Sequence, residues 1–248
     1  MLAELRMKLD ADTTEFGYYQ SSNMQGVLME RIESGYAEQL HISCLKPYSQ
    51  YITGGSQKEW VIHTLSQEAY QEIICPLLDR AFTDFTIEKK DMHIKICSKE
   101  LKTVSKKELL DEFYSDTYER YINLEFLTPT SFKSGGSYIN MPDVRYIYQS
   151  LMNKYSAASD DMDMYDKETL EQLVSSSKII RYKLKSALFP LEGVKIPSFV
   201  GEMCIKTTGT STMAKYARLL ARFGEYSGVG IKTAIGMGGL RINGGKND

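Results

Sequence analysis

Hydrophobic and polar side chains alternate over the first stretch of the chain, and the period then changes to that of a helix. Glu4–Leu9 alternates residue by residue, which predicts a strand with one buried face. Asn23–Tyr36 has apolar side chains three and four residues apart, which predicts a helix. Tyr48–Ile52 and Trp60–Leu65 are short apolar runs on either side of a glycine pair, so they predict two strands joined as a hairpin.

Helical spacing returns at Ala69–Phe82, although Pro76 must bend or delay this helix because proline has no amide hydrogen. Phe85–Ile96 is extended and completes one βαββαβ passage. Lys106–Tyr118 is short, polar and partly helical, so we place a domain boundary there. The first predicted domain therefore covers residues 1–118.

The same order of elements recurs in the second half of the chain. A strand at Tyr121–Leu127 precedes a helix after Pro142, a short helix, two long extended segments, a helix at Ser211–Phe223 and a last strand at Leu240–Ile242. Tandem βαββαβ units are ferredoxin-like domains of the α+β class. The second domain then covers residues 119–248, and one larger α+β domain is the alternative that the pattern leaves open.

Composition narrows the class of protein. The chain has 248 residues, of which 42% are hydrophobic and 25% charged, an ordinary globular balance. Its four cysteines are scattered without a C-x-x-C pair, which predicts reduced, buried thiols and argues against structural zinc. No apolar run reaches the roughly 20 residues of a membrane-spanning helix, and the N-terminus does not form a signal-peptide core. We therefore expect a cytoplasmic protein with no membrane partner.

The charge is distributed unevenly along the chain. The net charge of −2 argues against nucleic acid, but residues 178–248 hold 12 basic and 4 acidic side chains. Arg181, Lys183 and Lys185 alternate along a predicted strand and share one face, and we call these three residues the basic stripe. Apolar neighbours such as Tyr182 should point the other way. The stripe favours an anionic partner, and mutual neutralisation of the two halves is the alternative.

A glycine-rich segment, residues 228–239, lies between the last helix and the last strand. Its spacing fits neither a dinucleotide-binding fingerprint nor a Walker loop. Its glycines permit positive φ and leave backbone N–H groups uncovered, which suits close approach to a phosphate or to a neighbouring element. Lys232 adds one charge. A tight turn between helix and strand is the alternative for this segment.

Histidine supplies the candidate acid–base chemistry. His63 and His93 fit structural or solvent-facing positions, whereas His41 ends a predicted helix and precedes Lys46 by five residues. Histidine transfers protons in both directions near neutral pH, and a nearby ammonium can stabilise charge on a phosphoryl oxygen. A capping or packing role for His41 is the alternative.

Several separated blocks resemble the CRISPR repeat-processing endoribonucleases, the Cas-six family of the RAMP superfamily. The blocks are Gly228–Gly238, Thr128–Lys133 followed by Pro142-Asp143, and Met24–Met29 followed by Leu40-His41 and Lys46–Ser49. Met164–Leu170 and Lys195–Glu202 look closest to members that accompany type III-A (Csm) systems. The resemblance extends over nearly the whole chain.

The resemblance implies two ferredoxin-like, RRM-related folds and metal-independent cleavage of CRISPR precursor RNA within repeats, which releases guide RNAs. A ribose 2′-OH would attack the adjacent phosphate, leaving a 2′,3′-cyclic phosphate or 3′-phosphate and a 5′-OH. His41 falls on the family's acid/base position and Lys46 on its charge-stabilising position. Met29 stands where some members have a catalytic tyrosine, and Tyr36 is only a weak substitute.

The resemblance and the charge pattern together predict the RNA-binding residues. We expect no bound metal and no cofactor. These residues are Lys133, Arg181, Lys183, Lys185, Gly228, Gly230, Lys232, Gly236 and Gly238. The predicted partner is CRISPR repeat RNA; a transient association with a type III-A effector complex and a homodimer stay open. A non-catalytic repeat-RNA-binding subunit is the main alternative function, and a small-molecule-binding ferredoxin-like protein is the other.

Overall fold

The computed structural model describes residues 1–11, 16–55, 57–115, 118–159 and 165–244. The first half contains β1 (Leu2–Ala11), α1 (Ser21–Met29), α2 (Ser34–Ile42), β2 (Tyr48–Thr53), β3 (Lys58–Thr64), α3 (Gln67–Ala69), α4 (Cys75–Leu77), β4 (Asp84–Ile87), β5 (Met92–Val104) and α5 (Lys106–Tyr114). The second half contains β6 (Tyr121–Thr130), β7 (Phe132–Ser134), β8 (Ser137–Ile139), α6 (Val144–Ala157), α7 (Lys167–Ser176), β9 (Ser177–Leu191), β10 (Val194–Thr207), α8 (Ser211–Ser227) and β11 (Leu240–Asn243).

The first half folds into a five-stranded antiparallel sheet in the order β2-β3-β1-β5-β4. Alternation along β1 buries Leu5 and Met7 in the same hydrophobic cluster as Met24 and Leu28 of α1. Since successive strand side chains point to opposite faces, the polar positions of β1 lie on the other face of the sheet. That second face is the one that meets the rest of the molecule.

The second half forms a four-stranded antiparallel sheet in the order β11-β6-β10-β9, with β7 and β8 as a separate hairpin. Helices α6 and α8 contribute Leu151 and Leu220 to its core, against Phe126 of β6. The α+β class and the tandem ferredoxin-like arrangement are confirmed. The domain boundary at residue 118 stays a prediction: residues 116–117 lie outside the described ranges, as does Met164 of one resembling block.

The helix expected over residues 23–36 is wrong in its extent, because the chain forms two helices there. Helix α1 ends at Met29, and α2 begins at Ser34. Glu33 is extended, and its carboxylate accepts a hydrogen bond from the Tyr36 amide, which caps the start of α2. Continuous apolar spacing concealed this break, since Ile32 is buried even though it lies between the helices.

The helix expected over residues 69–82 is also shorter than predicted. It runs through α3, a π-helical turn at Tyr70–Ile74, and α4, which ends at Leu77. Pro76 has no N–H, and its ring crowds the carbonyl four residues before it; a wider turn relieves both problems. The helical segment begins at the cap formed by Ser66, whose Oγ accepts from the Ala69 amide at 3.0 Å.

The prediction of buried cysteines is wrong for three of the four. Cys44, Cys75 and Cys97 are exposed, and only Cys204 is buried. Tyr182, expected to point away from the basic stripe, is 67% exposed. Tyr182 lies on β9, which is an edge strand of the second sheet.

Candidate active site and nucleic-acid interface

His41 lies in the last turn of α2, one residue before the helix ends at Ile42. Buried Tyr36 and Leu40 fix the inner face of α2 to the first core. His41 is five residues after Tyr36, which places it on another side of the helix, and it is exposed. The predicted position of His41 at the end of a helix agrees with the structure, while its chemical role stays a prediction.

Lys46 folds back onto the C-terminal end of α2. Its ammonium donates hydrogen bonds to the carbonyl oxygens of Leu40, of Ser43 at 2.6 Å and of His41 at 3.4 Å. Carbonyl oxygens at the C-terminal end of a helix accept no hydrogen bond from a backbone N–H of the same helix, so they are available to a side-chain donor. The negative end of the helix dipole also favours a cation there. Lys46 thus holds the turn that carries His41, through backbone groups.

The tyrosine candidates do not join His41. Tyr36 is buried in the first core, its hydroxyl has no hydrogen-bond partner among the described residues, and burial raises its pKa to about 12. Met29 ends α1 and packs against the same core. The described geometry brings together a histidine and a lysine at this helix end, without a tyrosine hydroxyl from either position.

A groove of about 240 Å³ borders the loop that carries Lys46, and we call it the α6 groove. Its walls include Leu45, Lys133, Tyr146, Gln149, Asn153 and Gly230. Leu45 and Lys46 also line a small cavity that is shared with Lys154 of α6. The structure therefore brings Lys46, Lys133 and Gly230 into one region, although they are far apart in the sequence.

Lys154 and Ser150 are residues of this region that sequence reasoning missed. The buried ammonium of Lys154 donates to the carbonyls of Ser227 and Gly228 and to Thr233 Oγ1, at 3.1–3.2 Å. Burial lowers its pKa to about 7. One turn earlier, Ser150 Oγ accepts from the Gly230 amide at 2.8 Å. The sequence indicates Lys154 only by placing a lysine on the apolar face of a predicted helix.

The glycine-rich segment is packed against protein, which corrects the expectation of uncovered N–H groups. Its amides donate within the molecule: Gly228 to Gly224 O, Val229 to Gly238 O, Gly230 to Ser150 Oγ, Ile231 to Ser131 O, Gly236 to Thr233 O, Gly238 to Pro129 O and Gly239 to Thr128 Oγ1. Gly228, Gly236 and Gly238 are buried, whereas Lys232 is exposed with a positive φ of 57°. The close approach to a neighbouring element, not to phosphate, explains these glycines.

Gly236 shows why glycine is needed. Its φ is +106°, and a Cβ there would overlap the Cβ of Ser21 in α1. The segment also receives a hydrogen bond from Gln50 of β2, whose Nε2 donates to Ala234 O at 2.9 Å. The glycine-rich segment therefore lies between the two sheets and contacts both halves of the protein.

The basic stripe lies in a different groove. Arg181 and Lys183 line an open depression of about 590 Å³ on the second sheet, and Lys185 is exposed farther along β9. Glu202 of β10 is the direct cross-strand neighbour of Lys183, so the face mixes charges. Three other arginines of this part of the chain are ion-paired: Arg218 with Glu119, Arg222 with Glu225 and Arg241 with Glu125. The structure does not join the stripe to the α6 groove.

Comparison with known proteins identifies the family. A family model described as CRISPR-associated endoribonuclease Cas6 matches residues 124–240. The Cas6 of Mycobacterium tuberculosis is 36% identical over 222 residues, which cover 89% of this chain and 70% of that protein. The Cas6 of Streptococcus thermophilus is 34% identical over 218 residues, which cover 88% of each chain. The chain belongs to the Cas6 family of CRISPR-associated endoribonucleases.

Solved Cas6 structures share the fold. A Cas6 product complex has a TM-score of 0.77 at 22% identity and covers 98% of this chain and 100% of its own. Thermus thermophilus Cas6 has a TM-score of 0.69 at 18% identity and covers 98% of both chains. The predicted family is confirmed, and with it the endoribonuclease class; the non-catalytic and small-molecule-binding alternatives are not favoured.

The other two histidines of this Cas6-family chain occupy the positions expected of them. His63 is buried, with Nε2 3.0 Å from a Glu4 carboxylate oxygen and Nδ1 3.3 Å from Ser49 Oγ. Burial opposes the charge of Glu4, but the hydrogen bonds and charges of His63 and Arg6 outweigh it and lower the pKa of Glu4 to about 2. His93 is exposed on β5.

The described residues contain neither a metal-binding cluster nor a membrane-spanning helix. No three His, Cys, Asp or Glu side chains within these ranges come together as a group that could hold a metal ion. In the same part of the Cas6-family chain, no helix is long and apolar enough to cross a membrane.

Proposed function

We propose that the protein cleaves CRISPR precursor RNA within its repeats and releases guide RNAs. The observation that carries this proposal is His41, exposed at the end of α2 and held there by Lys46 beside the α6 groove. Membership of an endoribonuclease family supports RNA as the substrate class. The repeat as substrate, the reaction chemistry and the roles of individual residues are parts of the proposal.

The proposed reaction is an internal displacement at phosphorus. The ribose 2′-OH loses its proton as its oxygen bonds to the phosphorus, the bond from phosphorus to the 5′-oxygen breaks, and that oxygen takes up a proton. His41 transfers one of these protons, as base or as acid. The products are a 2′,3′-cyclic phosphate and a 5′-OH, and water opening the ring gives a 3′-phosphate. No metal or cofactor takes part in this scheme.

Lys46 provides charge stabilisation in this proposal. Its contact with the His41 carbonyl is the longest of its three hydrogen bonds. Exchanging that contact for a phosphate oxygen would keep the helix end in place and bring an ammonium to the developing charge. Positioning the 2′-OH in line with the leaving oxygen supplies much of the acceleration, which compensates for the missing tyrosine.

RNA binding in the proposal uses two surfaces. Lys133 and exposed Lys232 would contact phosphates near the cut, and the basic stripe would hold a more distant part of the repeat. Gly228, Gly230, Gly236 and Gly238 would act by shaping the segment that presents Lys232. Transient association with a type III-A effector complex, a homodimer and cytoplasmic localisation belong to the same proposal.

A cleavage assay tests the chemistry. Purified protein is mixed with a repeat RNA in EDTA, and a second RNA carries a 2′-deoxy sugar upstream of the cut. We expect one cut in the first RNA and none in the second, with a cyclic phosphate and a 5′-OH at the new ends. Inhibition by EDTA, or cleavage of the deoxy RNA, would contradict the mechanism.

A further inference from the structure

The wall of the α6 groove that α6 itself contributes is polar and regularly spaced. Tyr146, Gln149 and Asn153 follow one another at intervals of three and four residues, so they share one face of the helix. All three line the groove. This face was not predicted from the sequence and has no role in the chemistry proposed for His41 and Lys46.

The polar groups of this face are available to a ligand. In the described part of the chain, neither the Gln149 nor the Asn153 amide has a side-chain hydrogen-bond partner, and Asn153 is exposed. Each amide offers two N–H donors and a carbonyl acceptor. The Tyr146 ring is fixed by stacking on Phe132, with ring centroids 5.8 Å apart and an interplanar angle of 24°. The groove thus combines an ordered aromatic ring with unused donors and acceptors.

The opposite wall is held rigidly. Lys154 and Ser150, also on α6, bind the backbone of the glycine-rich segment and fix Gly230 at the edge of the groove. A side chain at Gly230 would overlap the Ser131 carbonyl, so the wall is bare backbone at this position, next to Ile231. The groove therefore has α6 side chains on one side and the backbone at Gly230 on another.

We propose that the α6 groove binds one unpaired nucleobase of the RNA, next to the scissile phosphate, with Gln149 and Asn153 hydrogen-bonding its edge and Tyr146 stacking on its face. Proteins that read RNA sequence usually do so on unpaired bases, through stacking and edge hydrogen bonds. The volume of about 240 Å³ is below the roughly 300–1,000 Å³ of pockets for drug-sized ligands and suits a single base. Leu45, adjacent to Lys46, borders the groove, which places the base beside the cut.

The test measures base preference at single positions, and it rests on the proposed function. Cleavage rates are measured for RNAs that carry each of the four bases at each of the three positions on either side of the cut. We expect the wild type to discriminate at one position, and Gln149→Ala and Asn153→Ala to reduce that discrimination about fivefold or more. Discrimination at the other positions should not change. Gln149→Glu, which keeps the side-chain shape but removes the amide donors, should alter which base is preferred there.

Gln172→Ala, on the exposed face of α7, is the matched control and should keep the wild-type preferences. Wild-type protein that fails to cleave any repeat RNA would overturn the proposed function and the inference with it. Normal cleavage together with unchanged preferences in both alanine variants would overturn the inference alone. Unfolding temperatures of all variants show whether a variant has lost its fold.

Discussion

In the proposed mechanism the chemistry depends on His41, which is exposed at the end of α2. His41→Ala should lower the cleavage rate by about 10²–10⁴, the usual contribution of a positioned acid or base. RNA affinity should stay within about twofold, since binding rests on phosphates. His93→Ala, another exposed histidine, is the control and should leave both quantities unchanged. Single-turnover cleavage and filter binding measure them; a His41 variant that cleaves normally would exclude this role.

Lys154 is a buried cation that has oxygen acceptors but no carboxylate partner in the described ranges. Its folded-state pKa of about 7 lies below that of an unfolded lysine, about 10.4. Between these values the unfolded state binds more protons, so the free energy of unfolding should rise with pH by about 1.4 kcal/mol per unit. This gain is absent below pH 7.

Urea unfolding of wild type and Lys154→Met across this pH range isolates the effect. The wild type should gain stability relative to the variant as the pH rises. Lys95→Met removes an exposed lysine of β5 and should track the wild type at every pH. A constant difference between wild type and Lys154→Met would show that Lys154 remains charged in the folded protein.

At the scale of secondary-structure elements, substitutions in the glycine-rich segment test whether close packing against neighbouring elements explains its glycines. Gly236→Ala should lower the free energy of unfolding by about 2–3 kcal/mol, because it adds both an overlap with Ser21 and a strained positive φ. Gly136→Ala in the β7–β8 turn has a positive φ of 82° but open space around it, so it should cost only the backbone strain. Ser21→Gly should recover part of the loss in the Gly236 variant. Equal losses at both glycines, measured by chemical denaturation, would contradict the packing explanation.

Strand β9 carries the predicted phosphate contacts of the basic stripe. Lys183→Ala should weaken RNA binding for all sequences. It should also make the plot of log affinity against log salt concentration less steep, by the amount expected for the loss of about one phosphate contact. Lys95→Ala removes a charge from the first sheet and should leave the slope unchanged. If the two variants have the same slope as the wild type, the stripe lies outside the RNA path.

Most strands could be predicted from the sequence, because alternation such as that of Glu4–Leu9 directly reports a half-buried strand. The break between α1 and α2 could not, because Ile32 continues the apolar spacing through it. His41 and Lys46 could be found since they are near one another in the chain. Ser150 and Lys154 could not, because their partners come from residues 73 to 80 positions away and only the folded chain brings them together.

For the molecule as a whole, the contact between the halves is polar as well as apolar. Glu4 pairs with Arg6 and His63, and Ser49 links the same network to the Tyr226 carbonyl of α8 at 2.6 Å. The pKa of Glu4, about 2, lies below its ordinary value of 4.5. Ionised Glu4 therefore adds to the free energy of unfolding above pH 4.5, and this stabilisation is lost as the pH falls through about 2.

Glu4→Gln should destabilise the protein near neutral pH by up to about 3 kcal/mol, because the charged hydrogen bonds of Arg6 and His63 lose their partner. The difference from wild type should shrink as the pH falls below 4.5. Glu100→Gln, an exposed carboxylate paired with Lys102, is the control and should have little effect at any pH. Denaturation between pH 6 and 3 measures the difference, and one that does not change with pH would exclude this network as its source.

The position of the glycine-rich segment also has a consequence for biosynthesis. Residues 228–239 follow the whole first sheet and every strand of the second sheet except β11, yet they fill the space between β2, α1 and α6. A nascent chain can therefore form its first sheet early in translation, but the surface around Gln50 must wait, exposed, for a segment made much later. Chaperones or the ribosome surface would meet that face first, and the two halves can lock together only when translation has passed this segment.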